Sequence, residues 1–272
     1  MADTRQQDSH ASCCIIIPAR FASTRYPGKP LARLRGAGGT ERTLIEWTWR
    51  VAQAVPGVSS ILVATDDERI ADEVARFGGR VAMTPAVCAN GTERCAAALS
   101  TLPVRPDIIV NLQGDALLTP PNIIAALIRQ TAEEPELPVA TPAIVCTEAM
   151  VKHLLDDRAA GRVGGTTVVF NARADALYFS KNVIPYVPEG AFVPVHLHLG
   201  VYAYRPEALT AYVATPPSML EQVEGLEQLR FLDAGVRMGI VPCDKPDGPI
   251  LELNNPGDVP LIEQELRRRE AN

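Results

Sequence analysis

Three cationic side chains occur within ten residues near the start of the chain, directly after a short apolar run. The run, residues 15–17, is long enough for one buried strand, and Pro18 ends it. The cations that follow are Arg20, Arg25 and Lys29. Small residues between them leave backbone amides open to a ligand, and Arg and Lys hold phosphate oxygens by charge-assisted hydrogen bonds. The pattern predicts a polyphosphate site, with a solvated basic loop as the alternative.

A carboxylate follows a second apolar run. Residues 108–112 read as a central parallel strand buried on both faces, and Gln113, Gly114 and Asp115 come next. In open α/β sheets, ligands bind beyond the carboxyl ends of the strands. Asp115 is therefore predicted to be a Mg²⁺ ligand facing the segment that carries Arg20, Arg25 and Lys29, called the phosphate loop below. The alternative is that Asp115 caps the next helix.

Three further groups of polar residues are ambiguous when they are taken alone. Asn90 or Thr92 can cap a helix over residues 92–99, which is an ordinary structural feature. His198 and Tyr202 fall on one predicted strand, and a lone histidine on a strand is more often a core residue. Glutamates and Gln228 near residue 224 fit a solvated helix face.

Composition limits the class of protein. The chain has 272 residues, is 47% apolar and has a formal net charge of −6. Such a charge argues against nonspecific binding to nucleic acid or membrane surfaces. No apolar run approaches the roughly 20 residues that span a bilayer.

Six cysteines show no CxxC spacing, which favours reduced thiols in a cytoplasmic protein without zinc. We expect residues 1–12 to be a disordered tail without a signal peptide.

The elements that must position these residues alternate along the first half of the chain. Strands are predicted at 14–17, 60–64, 80–83 and 108–112, and helices at 44–54, 66–77 and 92–99, with Asp66 capping the second helix. This order predicts an α/β fold, a doubly wound, mostly parallel sheet with right-handed crossovers.

The pattern changes after residue 138. Strands are predicted at 168–170, 176–179, 198–204 and 238–241, and helices at 225–234 and 256–269. The long Pro-containing stretch 184–194 is expected to be functional or covered by a partner. We interpret residues 13–272 as one domain, with a nucleotide half over 13–137, an acceptor and dimer half over 138–250, and a C-terminal helix within 251–272.

These motifs together resemble the cytidylyltransferases that make CMP-activated sugar acids, above all those that use 3-deoxy-manno-octulosonate (Kdo). The resemblance runs from Cys14 to about Arg268. It is carried by the loop 15–31 and by Gln113-Gly114-Asp115, with further matches at 176–180, 198–202 and 226–230. It implies a Rossmann-like nucleotidyltransferase fold with an inserted acceptor-binding and dimerisation subregion. It also implies CTP and a small acidic sugar as substrates, Mg²⁺ as cofactor, and a homodimer.

The resemblance also assigns roles to individual residues. The catalytic residues would be Arg20, Lys29 and Asp115. The nucleotide would be bound by Ala19, Arg25, Asn90, Gly91, Arg94 and Gln113. The acceptor would be bound by His198, Tyr202, Glu224 and Gln228. Asp115 and Asn254 would hold the metal.

The chain departs from this family at several positions. Ala116-Leu117 stands where the family has Glu-Pro, and Asn254 stands where it has a metal-binding Asp. Mg²⁺ binding should therefore be weaker, or should depend more on the substrate's own carboxylate. The alternative is that Asn254 is a simple turn residue. Leu197 replaces an Arg, and Thr167 and Lys181 also differ. Two alternatives follow: a different acceptor acid, or a protein that binds CTP without turnover.

Overall fold

Strand β1, Cys13–Ala19, is buried along its whole length and lies inside the main sheet. The structure of the chain is a computed structural model, and it describes residues 11–22, 26–188, 190–191 and 193–271. Ser12, assigned above to a disordered tail, lies within the folded part, since its backbone N–H donates to Asp107 Oδ2 at 2.7 Å. Residues 1–10 lie outside the described residues.

The first half of the chain alternates strands and helices as expected. Its elements are β1, β2 (Arg33–Arg35), β3 (Glu41–Thr43), α1 (Leu44–Gln53), β4 (Ser60–Thr65), α2 (Glu68–Arg76), β5 (Val81–Met83), α3 (Gly91–Leu99), β6 (Ile108–Leu112) and α4 (Pro121–Glu133). Short 3-10 turns lie at Lys29–Leu31 and Ala37–Gly39.

The second half has shorter and less regular elements. They are β7 (Val139–Val145), α5 (Glu148–Ala159), β8 (Thr167–Phe170), β9 (Ala176–Ser180), β10 (His196–His198), β11 (Val201–Tyr204), α6 (Pro206–Ala214), α7 (Met219–Glu224), α8 (Leu229–Asp233), β12 (Met238–Cys243) and α9 (Val259–Glu270). A 3-10 turn at Pro256–Asp258 precedes α9.

Among the described residues the main sheet has ten strands in the order β5-β4-β1-β6-β11-β7-β10-β8-β9, with β12 paired to β7. The strands β5, β4, β1 and β6 are parallel to one another. Antiparallel pairs dominate beyond β6, although β12 is parallel to β7. The predicted α/β fold class is confirmed, and the parallel part of the sheet is the part that carries the phosphate loop and Asp115.

Side chains of β1 alternate between two hydrophobic cores, as the period of a strand requires. Cys14 and Ile16 belong to one core cluster, and Cys13, Ile15 and Ile17 belong to the other. Both clusters contain helical residues as well, so helices cover both faces of the sheet. Because both faces of β1 are covered, residues 15–17 are continuously apolar instead of alternating between apolar and polar.

The structure corrects three predicted elements. Asp67, not Asp66, caps α2 and accepts a hydrogen bond from the backbone N–H of Arg69 at 3.0 Å. The predicted helix 225–234 begins too early: Gly225 adopts φ 60° and ends the preceding helix α7, and within the predicted range only α8, Leu229–Asp233, is helical.

The predicted strand 198–204 is also two strands. β10 pairs with β7 and β8, whereas β11 pairs with β6 and β7, so the chain crosses the end of β7 between Leu199 and Val201. His198 and Tyr202 therefore lie on different strands.

A third hydrophobic cluster attaches the C-terminal segment to the loop after β6. Leu253 is fully buried and packs with Leu117 and Leu118, and Leu266 of α9 lies in the same cluster. Within the described part of the chain, none of the helices is both long and apolar enough to cross a membrane.

Candidate active site

The phosphate loop begins where β1 ends. Ala19 is the last residue of the strand and is buried, and Arg20 beyond it is exposed. Lys29 forms an ion pair with Asp115, which lies just past β6. The loop cation and the strand-end carboxylate predicted from sequence are thus brought together. Arg25, the third cation, lies outside the described residues, so its role stays a prediction.

Gly28 and Phe21 close the base of this loop. The backbone N–H of Gly28 donates to the carbonyl of Phe21 at 2.9 Å. Gly28 has φ +70°, and a β-carbon there would lie 3.0 Å from the Phe21 ring. The guanidinium of Arg69 also lies over this ring, 3.4 Å from its centroid. A residue with a side chain at position 28 would therefore disturb the turn that leads directly into Lys29.

The carboxyl ends of β1 and β6 approach each other closely. A β-carbon on Gly114 would lie 2.7 Å from the carbonyl oxygen of Pro18, so only glycine fits between Gln113 and Asp115. The hydroxyl of Thr48 on α1 donates to the Gly114 carbonyl at 3.0 Å. This packing fixes where the Asp115 carboxylate emerges at the edge of the sheet.

The N-terminus of α3 contacts the same edge. Asn90 is its N-cap, and its Oδ1 accepts from the backbone N–H of Glu93 at 2.9 Å. Its Nδ2 donates to the Tyr212 hydroxyl at 2.9 Å. A β-carbon on Gly91 would lie 2.8 Å from Gln113 Nε2. Three of the predicted nucleotide-binding residues, Asn90, Gly91 and Gln113, are therefore adjacent.

Arg94 has partners inside the protein. It is buried, its Nη1 donates to the Thr84 hydroxyl at 2.7 Å, and it forms an ion pair with Asp66 at 3.4 Å. The structure thus gives Arg94 a role in holding the loop before α3. Its predicted contact with a nucleotide stays a prediction.

Sequence reasoning missed Glu227, which links α3 to Gln113. One carboxylate oxygen accepts from the backbone N–H of Thr92 at 3.0 Å, and the other accepts from Gln113 Nε2 at 3.3 Å. Removal from water raises the pKa of Glu227, and the hydrogen bonds from Thr92 partly oppose this effect. The only sequence signal was its position beside Gln228, where it reads as part of a solvated helix face.

The predicted acceptor residues form a buried polar chain. The Tyr202 hydroxyl donates to Gln228 Oε1 at 3.1 Å, and the Tyr202 and His198 rings lie 5.5 Å apart. His198 Nε2 lies 2.8 Å from the Thr141 hydroxyl. Burial lowers the pKa of His198 to about 3, so the imidazole is neutral at physiological pH and carries no charge for the acceptor. Gln228 Nε2 is a buried donor without a hydrogen-bond partner among the described residues.

Glu224 is held at the end of β9. Its carboxylate accepts from the Ser180 hydroxyl at 2.8 Å and from the backbone N–H of Lys181 at 3.0 Å. It therefore positions the turn after β9, and its predicted contact with an acceptor stays a prediction.

The two predicted metal ligands lie on segments that pack together. Leu253 and Leu117 share one buried cluster, so Asn254 lies near the loop that follows Asp115. The backbone N–H of Asn254 donates to Asp258 Oδ2 at 2.9 Å. Ala116, which stands where the family has Glu, is buried and its side chain has no oxygen that could bind a metal.

A carboxylate and an amide oxygen suit Mg²⁺ in chemical type. Within the described residues, no group of three or more His, Cys, Asp and Glu side chains could hold a metal. The residues therefore fit Mg²⁺ that completes its coordination with substrate phosphates and water, as this ion commonly does.

The chain is similar to known proteins over most of its length. A family model described as "Cytidylyltransferase" matches residues 14–238. The chain is 44% identical over 255 residues to the 3-deoxy-manno-octulosonate cytidylyltransferase of Maricaulis maris, covering 93% of this chain and 96% of that protein. The enzyme of the same name from Chlamydia pneumoniae is 36% identical over 262 residues, and the match covers 96% of this chain and 96% of that protein.

A solved structure of CMP:2-keto-3-deoxy-manno-octonic acid synthetase complexed with CTP superposes with a TM-score of 0.81. It is 35% identical, and the match covers 96% of this chain and all of that one. A cytidylyltransferase from Leptospira borgpetersenii, 16% identical with a TM-score of 0.55, shares the fold.

Proposed function

The chain belongs to the cytidylyltransferase family, and we propose that it transfers CMP from CTP to Kdo or a closely related keto sugar acid, releasing pyrophosphate. The observation that carries this proposal is the Lys29–Asp115 ion pair, at the sheet edge that also gathers Gln113 and Gly91. It joins a cation of the loop after β1 to the carboxylate after β6, at the edge where open α/β sheets bind their ligands. Kdo is the acceptor named in the relatives that match nearly the whole chain.

The nucleotide half supplies charge and shape. Arg20 and Lys29 neutralise the triphosphate, and the small residues Ala19 and Gly91 let the nucleotide approach the backbone. Glu227 holds the amide of Gln113 through Nε2, so Gln113 Oε1 remains an acceptor for the amino group of cytosine. That orientation favours CTP over UTP, because uracil presents a carbonyl at the same place.

The transfer itself is an in-line displacement. The anomeric hydroxyl oxygen of the acid forms a bond to the α-phosphorus of CTP while the bond from that phosphorus to the α–β bridging oxygen breaks. Pyrophosphate leaves with the bonding electrons, and the hydroxyl proton passes to solvent. Positioning and charge neutralisation carry most of such a reaction.

Asp115, together with the amide oxygen of Asn254, would hold Mg²⁺. Bound there, Mg²⁺ would supply charge neutralisation at the phosphates and would make a nearby hydroxyl easier to ionise. Because Lys29 is paired with Asp115, binding of the triphosphate also redistributes the interactions of that lysine.

The acceptor half supplies hydrogen bonds to hydroxyl groups. Gln228 Nε2 is a buried donor whose missing partner matches a sugar oxygen, and Tyr202 fixes the amide through Oε1. Neutral His198 can exchange one hydrogen bond with the sugar while Thr141 holds its Nε2.

A homodimer in the cytoplasm belongs to the same proposal. Strand β9 lies at one end of the sheet order, and its Leu177 side chain is 60% exposed. All six cysteines are free thiols, as expected in a reducing compartment. Sedimentation at micromolar concentration should give a two-chain species, which replacing Leu177 by Lys should weaken.

The activity is tested by incubating the purified chain with Mg²⁺, one nucleotide and one acceptor, and identifying the product by mass spectrometry. CTP with Kdo should give CMP-Kdo, and UTP or ATP should give almost none. Product with another keto acid but not with Kdo would show that the acceptor is that acid and not Kdo. CTP binding without any product would overturn the proposed transfer.

A further inference from the structure

The region around Asp115 carries less negative charge than its resemblance to the family predicts. Asn254 replaces an aspartate, and Ala116 replaces a glutamate. The remaining carboxylate, Asp115, is already paired with the Lys29 ammonium. Together these two side chains have no net charge to attract a divalent cation.

An unassigned carboxylate, Glu252, lies on the segment beside this region. Leu253 is fully buried in the cluster that contains Leu117 and Leu118. Because Leu253 is directed into this cluster, its neighbours Glu252 and Asn254 are directed away from it. Glu252 is exposed and Asn254 is partly exposed.

Glu252 approaches the carboxyl end of β6 through Gly200. A β-carbon on Gly200 would lie 3.9 Å from Glu252 Oε1. Val201 pairs with Leu112, so Gly200 lies beside Gln113, two residues before Asp115. Glu252 is therefore aimed at the edge of the sheet that carries the proposed metal site.

An electrostatic effect on Tyr202 supports the same placement. Burial is the main cause that raises the pKa of Tyr202, and the negative charge of Glu252 contributes to it. The carboxylate thus acts on the boundary between the metal region and the acceptor pocket.

We infer that Glu252 supplies to Mg²⁺ the carboxylate that Asn254 lacks, so that the negative charge has moved two residues along the chain. The inference rests on the function proposed above, since it assumes Mg²⁺ with CTP at Asp115. It makes Glu252 part of the catalytic site, and it explains how the chain holds the metal with an amide at position 254.

Binding of Mn²⁺ to the enzyme–CTP complex, without acceptor, tests this inference by electron paramagnetic resonance. Glu252→Gln should raise the Kd for Mn²⁺ about tenfold or more. The double variant Glu252→Gln/Asn254→Asp, which returns the charge to position 254, should bind within about threefold of the wild type. Glu136→Gln removes an exposed carboxylate in the loop before β7 and should leave the Kd unchanged.

Wild-type binding by Glu252→Gln, or failure of the double variant to recover, would overturn the inference. Because Glu252 is exposed, thermal denaturation should show that its variant folds normally. Pyrophosphate release is measured on the same wild-type preparation. If that preparation lacks the activity, the proposed function fails, while the Mn²⁺ titrations still decide the role of Glu252.

Discussion

Lys29 Nζ forms an ion pair with Asp115 Oδ2, although the two residues are 86 positions apart in the chain. The contact connects the loop after β1 to the end of β6, the neighbouring parallel strand. Both side chains are largely shielded, with 18% exposure each. The pair thus lies in place before the proposed triphosphate and metal would bind.

Loss of either partner should severely reduce turnover. Lys29→Met and Asp115→Asn should each lower kcat/KM at least about a hundredfold, because both act on charge that develops at the phosphates. Combining them should cost less than the sum of the two losses, since the residues act as a unit. Steady-state kinetics of the two single variants and the double variant measures this coupling.

The matched control is the exposed ion pair Lys152–Asp156 on α5. Lys152→Met should change stability by less than about 0.5 kcal/mol and leave kcat/KM unaltered. Strict additivity of Lys29→Met and Asp115→Asn would contradict a shared role.

Gly28→Ala should impair nucleotide binding more than it impairs folding. The left-handed backbone costs about 1–2 kcal/mol for alanine, and the new methyl group meets the Phe21 ring. We expect the KM for CTP to rise about tenfold, because the turn into Lys29 shifts. Gly57→Ala is the control, since Gly57 has φ +76° but open space around it. It should lose comparable stability and keep the wild-type KM, and an equal rise in KM for both would refute the argument.

His198 should make the protein less stable in mild acid. Its folded pKa is about 3, below the 6.5 of a free imidazole, so the unfolded state binds more protons between these values. The free energy of unfolding therefore falls as pH drops from about 6.5, by up to about 1.4 kcal/mol per unit from this group. His198→Asn should flatten the slope by about one proton in urea denaturation between pH 4 and 6.

Glu227→Gln should separate activity from stability. Because the folded pKa of Glu227 is raised, its ionisation costs stability as pH rises above 4.5, the value of a free carboxyl. The neutral variant should match or exceed the wild-type Tm at pH 8. Its amide no longer fixes Gln113 Nε2, so discrimination between CTP and UTP should fall about tenfold or more. A variant that loses stability and keeps discrimination would show a purely structural role.

Strong local signals allowed the nucleotide half to be predicted. Continuous apolar runs located β1 and β6, and the side chains that follow them, Lys29 and Asp115, do meet. Strand ends in a parallel sheet share one edge, so the meeting follows from fold class together with the position of each residue.

The acceptor half was less predictable because long-range pairing decides it. Periodicity alone could not show that the strand 198–204 breaks, since the break exists only because β10 and β11 lie on opposite sides of β7. Glu227 was overlooked for a similar reason. Its partners, Thr92 and Gln113, are more than a hundred residues away in sequence.

The proposed transfer is tested by measuring pyrophosphate released from CTP by the wild-type chain, with Kdo and Mg²⁺ each present or omitted. Release is expected only when CTP, Kdo and Mg²⁺ are all present, in a one-to-one ratio with CMP-Kdo, and none is expected from Asp115→Ala. Release without an acceptor, or undiminished release by Asp115→Ala, would contradict it.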